Sequence, residues 1–236
     1  MDKKTQKEIL KIVRKNYDEA ADIFNDTRNR IGRSWDKLKE LIVQVEDGSK
    51  ILDVGCGNGR LLEIMGNKPV NYLGIDNSEK LLSIAREKIN KNDSVVFKHG
   101  DILHLGKIEE LDFDWVFCVA VLHHIPGKDL RLDAIRQLRN KINIKGRIVI
   151  SVWNLWGQEK YRKIIFRYWL LKFIKKNKMD IGDILFDWKK GDGTILTKRY
   201  YHAFTKRELK RLVHRANLKI EKFIKDKYNY YLVLKK

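Results

Sequence analysis

Cysteine is scarce in this chain, acidic residues are outnumbered, and no long apolar run is present. Cys56 and Cys118 are the two cysteines among 236 residues, and no Cys or His spacing suggests metal chelation, so a reduced, cytoplasmic protein is expected. No apolar run approaches the length that spans a bilayer. The opening Met-Asp-Lys-Lys-Thr-Gln lacks the apolar segment of a signal peptide. Internal repeats and low-complexity tracts are absent as well. Asp and Glu number 31 against 50 Lys and Arg, a net charge of +19. Such an excess favours polyanionic partners such as RNA, although a lysine-rich proteome gives the same balance in enzymes with no nucleic-acid role. Hydrophobic residues make up 43%, enough for a sizeable core. The length suits one large domain, or a domain with an insertion.

The densest pattern is Lys50-Ile-Leu-Asp-Val-Gly-Cys-Gly-Asn-Gly-Arg60. Ile51 to Val54 reads as a buried strand. Gly55, Gly57 and Gly59 form a tight loop, and Leu61, Leu62, Ile64 and Met65 recur at helical spacing. A strand, a Gly-rich turn and a helix present backbone N–H groups at the carboxyl end of a sheet, where α/β folds bind cofactors. Glycine there lets a ligand approach the main chain closely. A dinucleotide fingerprint wants Gly-x-Gly-x-x-Gly. Here the order is Asp-x-Gly-x-Gly-x-Gly, with Asp53 ahead of the first glycine, and Asp76 closes the next apolar run, Tyr72 to Asp76. The spacing of Asp76 suits a carboxylate gripping two ribose hydroxyls. An NAD site and an empty structural turn remain alternatives for the Gly-rich turn alone.

Before this motif, residues 5–24 read as a helix with Ile9, Ile12, Val13, Tyr17 (or Asn16), Ala20 and Ile23–Phe24 on one face, and Trp35 to Val45 as a second. After it, Ser78 caps a helix with Leu81, Leu82, Ile84, Ala85 and Ile89 buried. Strands are predicted at 94–98, 115–121 and 147–153, the last preceded by an Asn-Ile-Lys-Gly turn, with a helix over 129–141 between the last two. Gly100-Asp101-Ile102 follows the third strand, and Leu122-His123-His124-Ile125-Pro126 follows the fourth. Between Lys160 and Lys178 basic residues interleave with Tyr161, Phe166, Tyr168, Trp169 and Phe173. That cationic amphipathic helix suits RNA or a membrane surface, or a helix docking its aromatics on the core with its lysines solvated, which is preferred for most of its length. Thr205 and Glu208 form a capping box, and 218–224 with 228–234 close the chain as a strand pair.

The Asp53 and Asp76 pair resembles motifs I and II of the class I S-adenosylmethionine-dependent methyltransferases. The resemblance implies an α/β fold: a Rossmann-like doubly wound sheet, mostly parallel with a C-terminal antiparallel hairpin. Two N-terminal helices and a helical insertion after strand 5 complete it. One methyltransferase domain over 1–236 is expected: a helical cap (1–47), a cofactor-binding core (48–153), a basic and aromatic insertion serving as substrate lid (154–199), and a closing helix and hairpin (200–236). S-adenosyl-L-methionine is the implied cofactor and S-adenosyl-L-homocysteine the product. The implied cofactor residues are Tyr17, Asp53, Gly55, Cys56, Gly57, Asp76, Asn77, Asp101, Ile102, Val119 and Leu122, with Asp101 set for the adenine amino group.

A narrower similarity is to the tRNA wobble-uridine carboxymethyl methyltransferases, including the methyltransferase part fused to an AlkB-like oxygenase. It rests on Tyr17-Asp18-Glu19-Ala20 with Phe24 and Thr27-Arg28, on Ala120 to Ile125, on Asp183 to Trp188, and on Arg199-Tyr200-Tyr201-His202-Ala203-Phe204. It departs from that pattern at Asp187, where proline is usual, and in a shortened stretch between Asp183 and Arg199. The similarity implies esterification of a 5-carboxymethyl uridine in tRNA, with a small zinc-containing subunit as partner. A carboxylate acceptor has a reference pKa near ~4 and arrives ionised, so no general base is needed. Arg28, His123, Arg199 and His202 are the candidates for holding it, with Tyr200 stacking or hydrogen-bonding. Two alternatives stay open: a small-molecule carboxyl- or O-methyltransferase with incidental lysines, and a non-catalytic cofactor- or RNA-binding module.

Overall fold

The computed structural model describes residues 1–19, 21, 35–88, 93–189 and 194–236. Its frame is a seven-stranded sheet in the order β3-β2-β1-β4-β5-β9-β8. Strands β1 (Lys50–Val54), β2 (Asn71–Asp76), β3 (Val95–His99), β4 (Phe113–Val119) and β5 (Ile142–Trp153) run parallel. β8 (Lys219–Lys225) and β9 (Asn229–Lys235) add an antiparallel pair at the β5 edge. The order reverses between β1 and β4, and a doubly wound sheet opens its ligand crevice at such a switch point.

Helices α1 (Lys3–Glu19) and α2 (Asp36–Ile42) precede the sheet. α3 (Arg60–Met65), α4 (Glu79–Glu87) and α5 (Lys128–Lys141) link its strands, α6 (Glu159–Phe173) follows β5, and α7 (Lys206–Arg215) precedes β8. Period-2 alternation along β1 divides the core. Leu52 and Val54 join Leu132, Ile135 and Leu138 of α5 and Leu209, Leu212 and Val213 of α7. Ile51 joins Leu38 and Leu41 of α2 and Leu61 and Met65 of α3 on the other face. α2 is therefore a full member of the core. The predicted caps form: Ser78 Oγ accepts the Leu81 N–H, and Thr205 Oγ1 accepts that of Glu208. Ala20, Ile23, Phe24 and Ile89 lie outside the described residues.

Two stretches differ from expectation. β5 starts at Ile142, and the predicted Asn-Ile-Lys-Gly turn is part of the strand, with a register shift opposite Phe113–Trp115. A Cβ on Gly146 would sit 2.7 Å from the Phe113 carbonyl oxygen, so the strands close up only around glycine. The stretch after β5 is not wholly helical. α6 is followed by β6 (Asp183–Lys189) and β7 (Ile195–His202), which form a separate two-stranded antiparallel sheet. α6 docks Tyr161, Ile164, Ile165 and Tyr168 on that hairpin. Phe166, Trp169 and Phe173 stay 58%, 37% and 66% exposed, so the expectation of docked aromatics holds for only one side of the helix. Among the described residues no helix is long and apolar enough to cross a membrane.

Candidate active site

A cavity of about 230 Å³ lies at the carboxyl ends of β1, β2 and β4. The Gly-rich turn forms one wall. Gly55, Gly57 and Gly59 all have positive φ (76°, 55° and 78°), a region that favours glycine. At Gly55 the steric demand comes from the protein rather than from a ligand: an added Cβ would lie 2.3 Å from Cγ2 of Val121. The Gly55 and Cys56 amides both donate to the Ile75 carbonyl at 2.8 and 3.0 Å, tying the turn to β2.

Two buried acids face this cavity. Asp53 accepts a 2.6 Å hydrogen bond from the Tyr72 hydroxyl. Burial, opposed by that bond and reinforced by the nearby Asp76 charge, pushes its carboxyl up to about 7. Asp76 accepts the Gly57 N–H on Oδ2 and the Ser78 N–H on Oδ1, each at 2.9 Å. Burial still raises it above the usual carboxylate range, against those backbone bonds. Two buried carboxylates whose charge is disfavoured make a site that a cationic ligand compensates. An ionised carboxylate has about four acceptor positions, so Asp76 keeps capacity beyond its two backbone donors.

The opposite wall is α1. Leu10, Val13, Arg14 and Tyr17 line the cavity at i, i+3, i+4 and i+7, one helical face. Buried amides anchor the helix: Gln6 Nε2 donates to Asp129 of α5 at 2.7 Å, and Asn16 Nδ2 donates to the Lys198 carbonyl of β7. Arg14 pairs with Asp101 at 3.3 Å, and Asp101 Oδ1 also accepts the Leu103 N–H at 2.9 Å. The Tyr17 hydroxyl meets His124 Nε2 at 2.7 Å, while His124 Nδ1 meets the Tyr200 carbonyl at 3.2 Å. A carbonyl only accepts, so His124 carries its hydrogen on Nδ1 and accepts from Tyr17.

Beyond β4 the chain turns through Ala120, a non-glycine residue with φ 59° that lines the cavity. His123 follows, fully buried. Its Nδ1 accepts the Trp153 N–H at 3.3 Å, and its ring stacks on Tyr201 with centroids 4.8 Å apart. Tyr201 stacks in turn on Trp153, also at 4.8 Å. Arg199 lies over the Trp188 ring, 3.1 Å from its centroid, and Trp188 packs edge-on against Tyr17.

The expected residues thus separate into groups. Tyr17, Asp53, Gly55, Cys56, Gly57, Asp76, Asn77, Asp101, Ile102, Val119 and His123 all line the cavity. Leu122 is fully buried within the core and is not among the lining residues. Arg199 does not line the cavity: it lies over Trp188, which packs on the lining residue Tyr17. Tyr200 and His202 project to the far side of β7, since neighbours on a strand face opposite ways. Tyr200 packs with Ile9 and Met179. His202 lies between carboxylates, Nδ1 2.6 Å from Asp183 and Nε2 2.9 Å from Glu208. The fully buried Arg131 approaches Asp180, Asp183 and Glu208 at 3.7 to 3.8 Å. Arg28 lies outside the described residues.

Several cavity residues were not picked out from sequence. Strand alternation from Arg199 points to Tyr201, and helical spacing back from Tyr17 points to Arg14 and Leu10. Nothing in the sequence marks Arg60, which lines the cavity with its guanidinium over Trp35 at 4.4 Å.

Comparison with known proteins places the chain among methyltransferases. The tRNA (carboxymethyluridine(34)-5-O)-methyltransferase of Schizosaccharomyces pombe is 28% identical over 230 residues, 93% of this chain and 94% of that protein. The protein of the same activity name in Xenopus tropicalis is 25% identical over 95% of this chain, which spans 40% of that longer relative. A Burkholderia thailandensis 1,6-didemethyltoxoflavin-N1-methyltransferase, solved with S-adenosylhomocysteine, superposes with a TM-score of 0.67 at 15% identity, covering 98% of this chain and 90% of that one. At that identity the likeness concerns the fold. The family model described as a methyltransferase domain matches residues 45–217, and with the Gly-rich turn and paired acids in place, the chain belongs to the methyltransferase-domain family as an S-adenosylmethionine-dependent enzyme.

Proposed function

We propose that this protein esterifies the carboxylate of a carboxymethylated wobble uridine in tRNA. The observation that carries the proposal is the end-to-end similarity to the S. pombe enzyme, 93% of one chain against 94% of the other. The net charge of +19 supports an RNA substrate. By resemblance, a small zinc-containing subunit belongs to the proposal as partner, and the cytoplasm as the place of reaction. The proposal keeps one methyltransferase domain over 1–236, with 1–47 as a cap whose second helix, α2, also packs into the core, and 154–199 as substrate lid.

The cavity residues fit the cofactor in kind. Asp76 would take the ribose hydroxyls with its uncommitted acceptor positions, and Asp101 and Ile102 would take the adenine. Asp53 would face the cationic methionyl end, with Gly55, Cys56, Gly57, Asn77 and Val119 lining the path and Leu122 supporting the turn from within the core. When bound, S-adenosylmethionine supplies a methyl group on a sulfonium. The acceptor carboxylate oxygen gains the new O–C bond as the C–S bond breaks and its electron pair stays on sulfur, giving the methyl ester and S-adenosylhomocysteine. No proton moves, so the protein has to position rather than deprotonate.

His123 is fixed for this task, buried, stacked on Tyr201 and held at Nδ1 by the Trp153 amide. Its neutral ring then carries hydrogen on Nε2, a donor suited to an anion. Arg199, stacked on Trp188, steers the anionic substrate without a bidentate grip that would stabilise the ground state more than the transition state. Arg28 shares that duty in the proposal. Tyr200 and His202 act from behind β7 as positioning residues, keeping Arg199 and Tyr201 turned toward the site.

The test is labelling of total tRNA from cells lacking wobble-uridine esterification, using tritiated S-adenosylmethionine, with nucleosides resolved by mass spectrometry. Expected is a methyl ester at the wobble uridine. No incorporation, with the zinc-containing subunit added as control, would overturn the proposal in favour of a metabolite acceptor.

A further inference from the structure

A second cavity, of about 240 Å³, opens beside the first, and Trp35, Val119, Ala120 and Trp153 line both. It sits at the carboxyl ends of β4 and β5 and reaches Asn229 at the start of β9. Its chemistry contrasts with the rest of the molecule. In a chain of net charge +19, none of the described residues lining it is charged. Aromatic rings (Trp35, Trp153, Tyr161) and two side-chain amides, Gln158 and Asn229, supply its character. Gln158 has one fixed orientation, since its Nε2 donates to the Asn154 carbonyl at 3.2 Å, and Asn229 Nδ2 lies 3.1 Å from the Tyr231 hydroxyl.

We infer that this second cavity is the acceptor subsite and takes an unpaired pyrimidine base. The inference rests on the tRNA reading above and deepens it. A pocket whose described lining is aromatic and uncharged is poor for a phosphate, a free carboxylate or an amino acid, each of which would need a counter-charge. It is good for a planar, neutral, hydrogen-bonding ring, which can stack on aromatic side chains and present its edge to an amide. A uracil edge alternates carbonyl acceptors with an N–H donor, and an amide held in one orientation offers the matching acceptor and donor. A loop base is already unpaired, so turning it out of its stack is cheap. With the ring held here, a short acidic substituent extends across the wall that both cavities share, toward His123 and the methyl-donor side. The pocket thus recognises the base, and the charged residues outside it handle the acid and the RNA backbone.

The test uses the full chain with Gln158→Ala, Tyr161→Ala and Tyr161→Phe variants, and S-adenosylhomocysteine titration by calorimetry as the control for folding. With tRNA as substrate, Tyr161→Ala is expected to lower kcat/KM roughly 10- to 100-fold, the scale of one lost base stack. Gln158→Ala should lower it about 5- to 10-fold, as loss of one hydrogen bond does. Tyr161→Phe should stay within about twofold, and the S-adenosylhomocysteine affinity of all three should change little, because the altered groups stack on or pair with the base. Unchanged kcat/KM in both alanine variants, with tRNA labelled normally by the unaltered protein, would overturn the subsite and leave the function standing. If the unaltered protein labels no tRNA, the function reading fails and the subsite is judged on nucleoside binding alone. Saturable quenching of tryptophan fluorescence by 5-carboxymethyluridine in the S-adenosylhomocysteine complex, lost in Tyr161→Ala, supports it. No quenching overturns it.

Discussion

Tyr201 lies flat against His123, ring planes 15° apart, and this stack joins the separate β6–β7 hairpin to the turn after β4. Removing the ring in Tyr201→Ala frees His123 to rotate out of line. A loss of activity of about 10-fold or more is expected, consistent with ~1 Å misplacement at a reacting centre, with S-adenosylhomocysteine affinity retained. Tyr200→Phe, one residue away but on the other strand face, should change activity less than about twofold, because that ring packs on Ile9 and Met179. Steady-state kinetics of the two variants side by side checks the alternation.

Burial of Asp53 has a cost that depends on pH. Its carboxyl is raised to about 7 from an ordinary 3.8, so between those values the folded chain holds a proton that the unfolded chain has released. Stability contributed by this group is therefore highest at low pH and falls as pH rises through about 7. Asp53→Asn keeps an acceptor for the Tyr72 hydroxyl and removes the buried charge. The cofactor-free variant should melt higher than the unaltered protein at pH 8, with the gap closing toward pH 4. Its affinity for S-adenosylmethionine should drop roughly 10- to 100-fold, the scale of a hydrogen bond to a charged group. Melting curves at several pH values and calorimetric titration check both signs.

His202→Ala should act on folding before chemistry. It removes the bridge between Asp183 and Glu208 and leaves those acids with Arg131 in a buried, rearranged cluster. Breaking such a network destabilises by about 3–5 kcal/mol. A large fall in Tm is expected, with activity recovered at lower temperature in proportion to the folded fraction. A variant that folds normally yet is inactive would place His202 in contact with substrate instead.

At Gly55 an alanine meets two obstacles, a positive φ of 76° and the 2.3 Å approach to Val121. Gly55→Ala should destabilise by roughly 1–3 kcal/mol. Val121→Ala in the same chain should restore part of that loss, since it opens the space and leaves the backbone strain. Urea unfolding of the single and double variants measures the split.

Local pattern determined much of this molecule. The Asp53 and Asp76 spacing, the glycines between them and the run of apolar strands dictate a parallel sheet with a cofactor crevice, because strand and helix periodicities are read from neighbours in the chain. The cofactor side of the site comes almost wholly from such local turns, and the residues expected there, apart from the core residue Leu122, do line the cavity. The acceptor side depends on how distant elements meet. Whether Tyr200 or Tyr201 faces the site was settled by which face of β7 packs on His123. Arg60 entered the cavity, and His202 became the centre of a buried ion cluster, through contacts between residues far apart in sequence. Asp53, an ordinary acid in the sequence, has its carboxyl pushed to about 7 because only the folded chain removes it from water and sets it beside Asp76. Burial and packing across the chain are properties of the tertiary structure, and they decide the charge and aim of groups whose identity the sequence alone supplies.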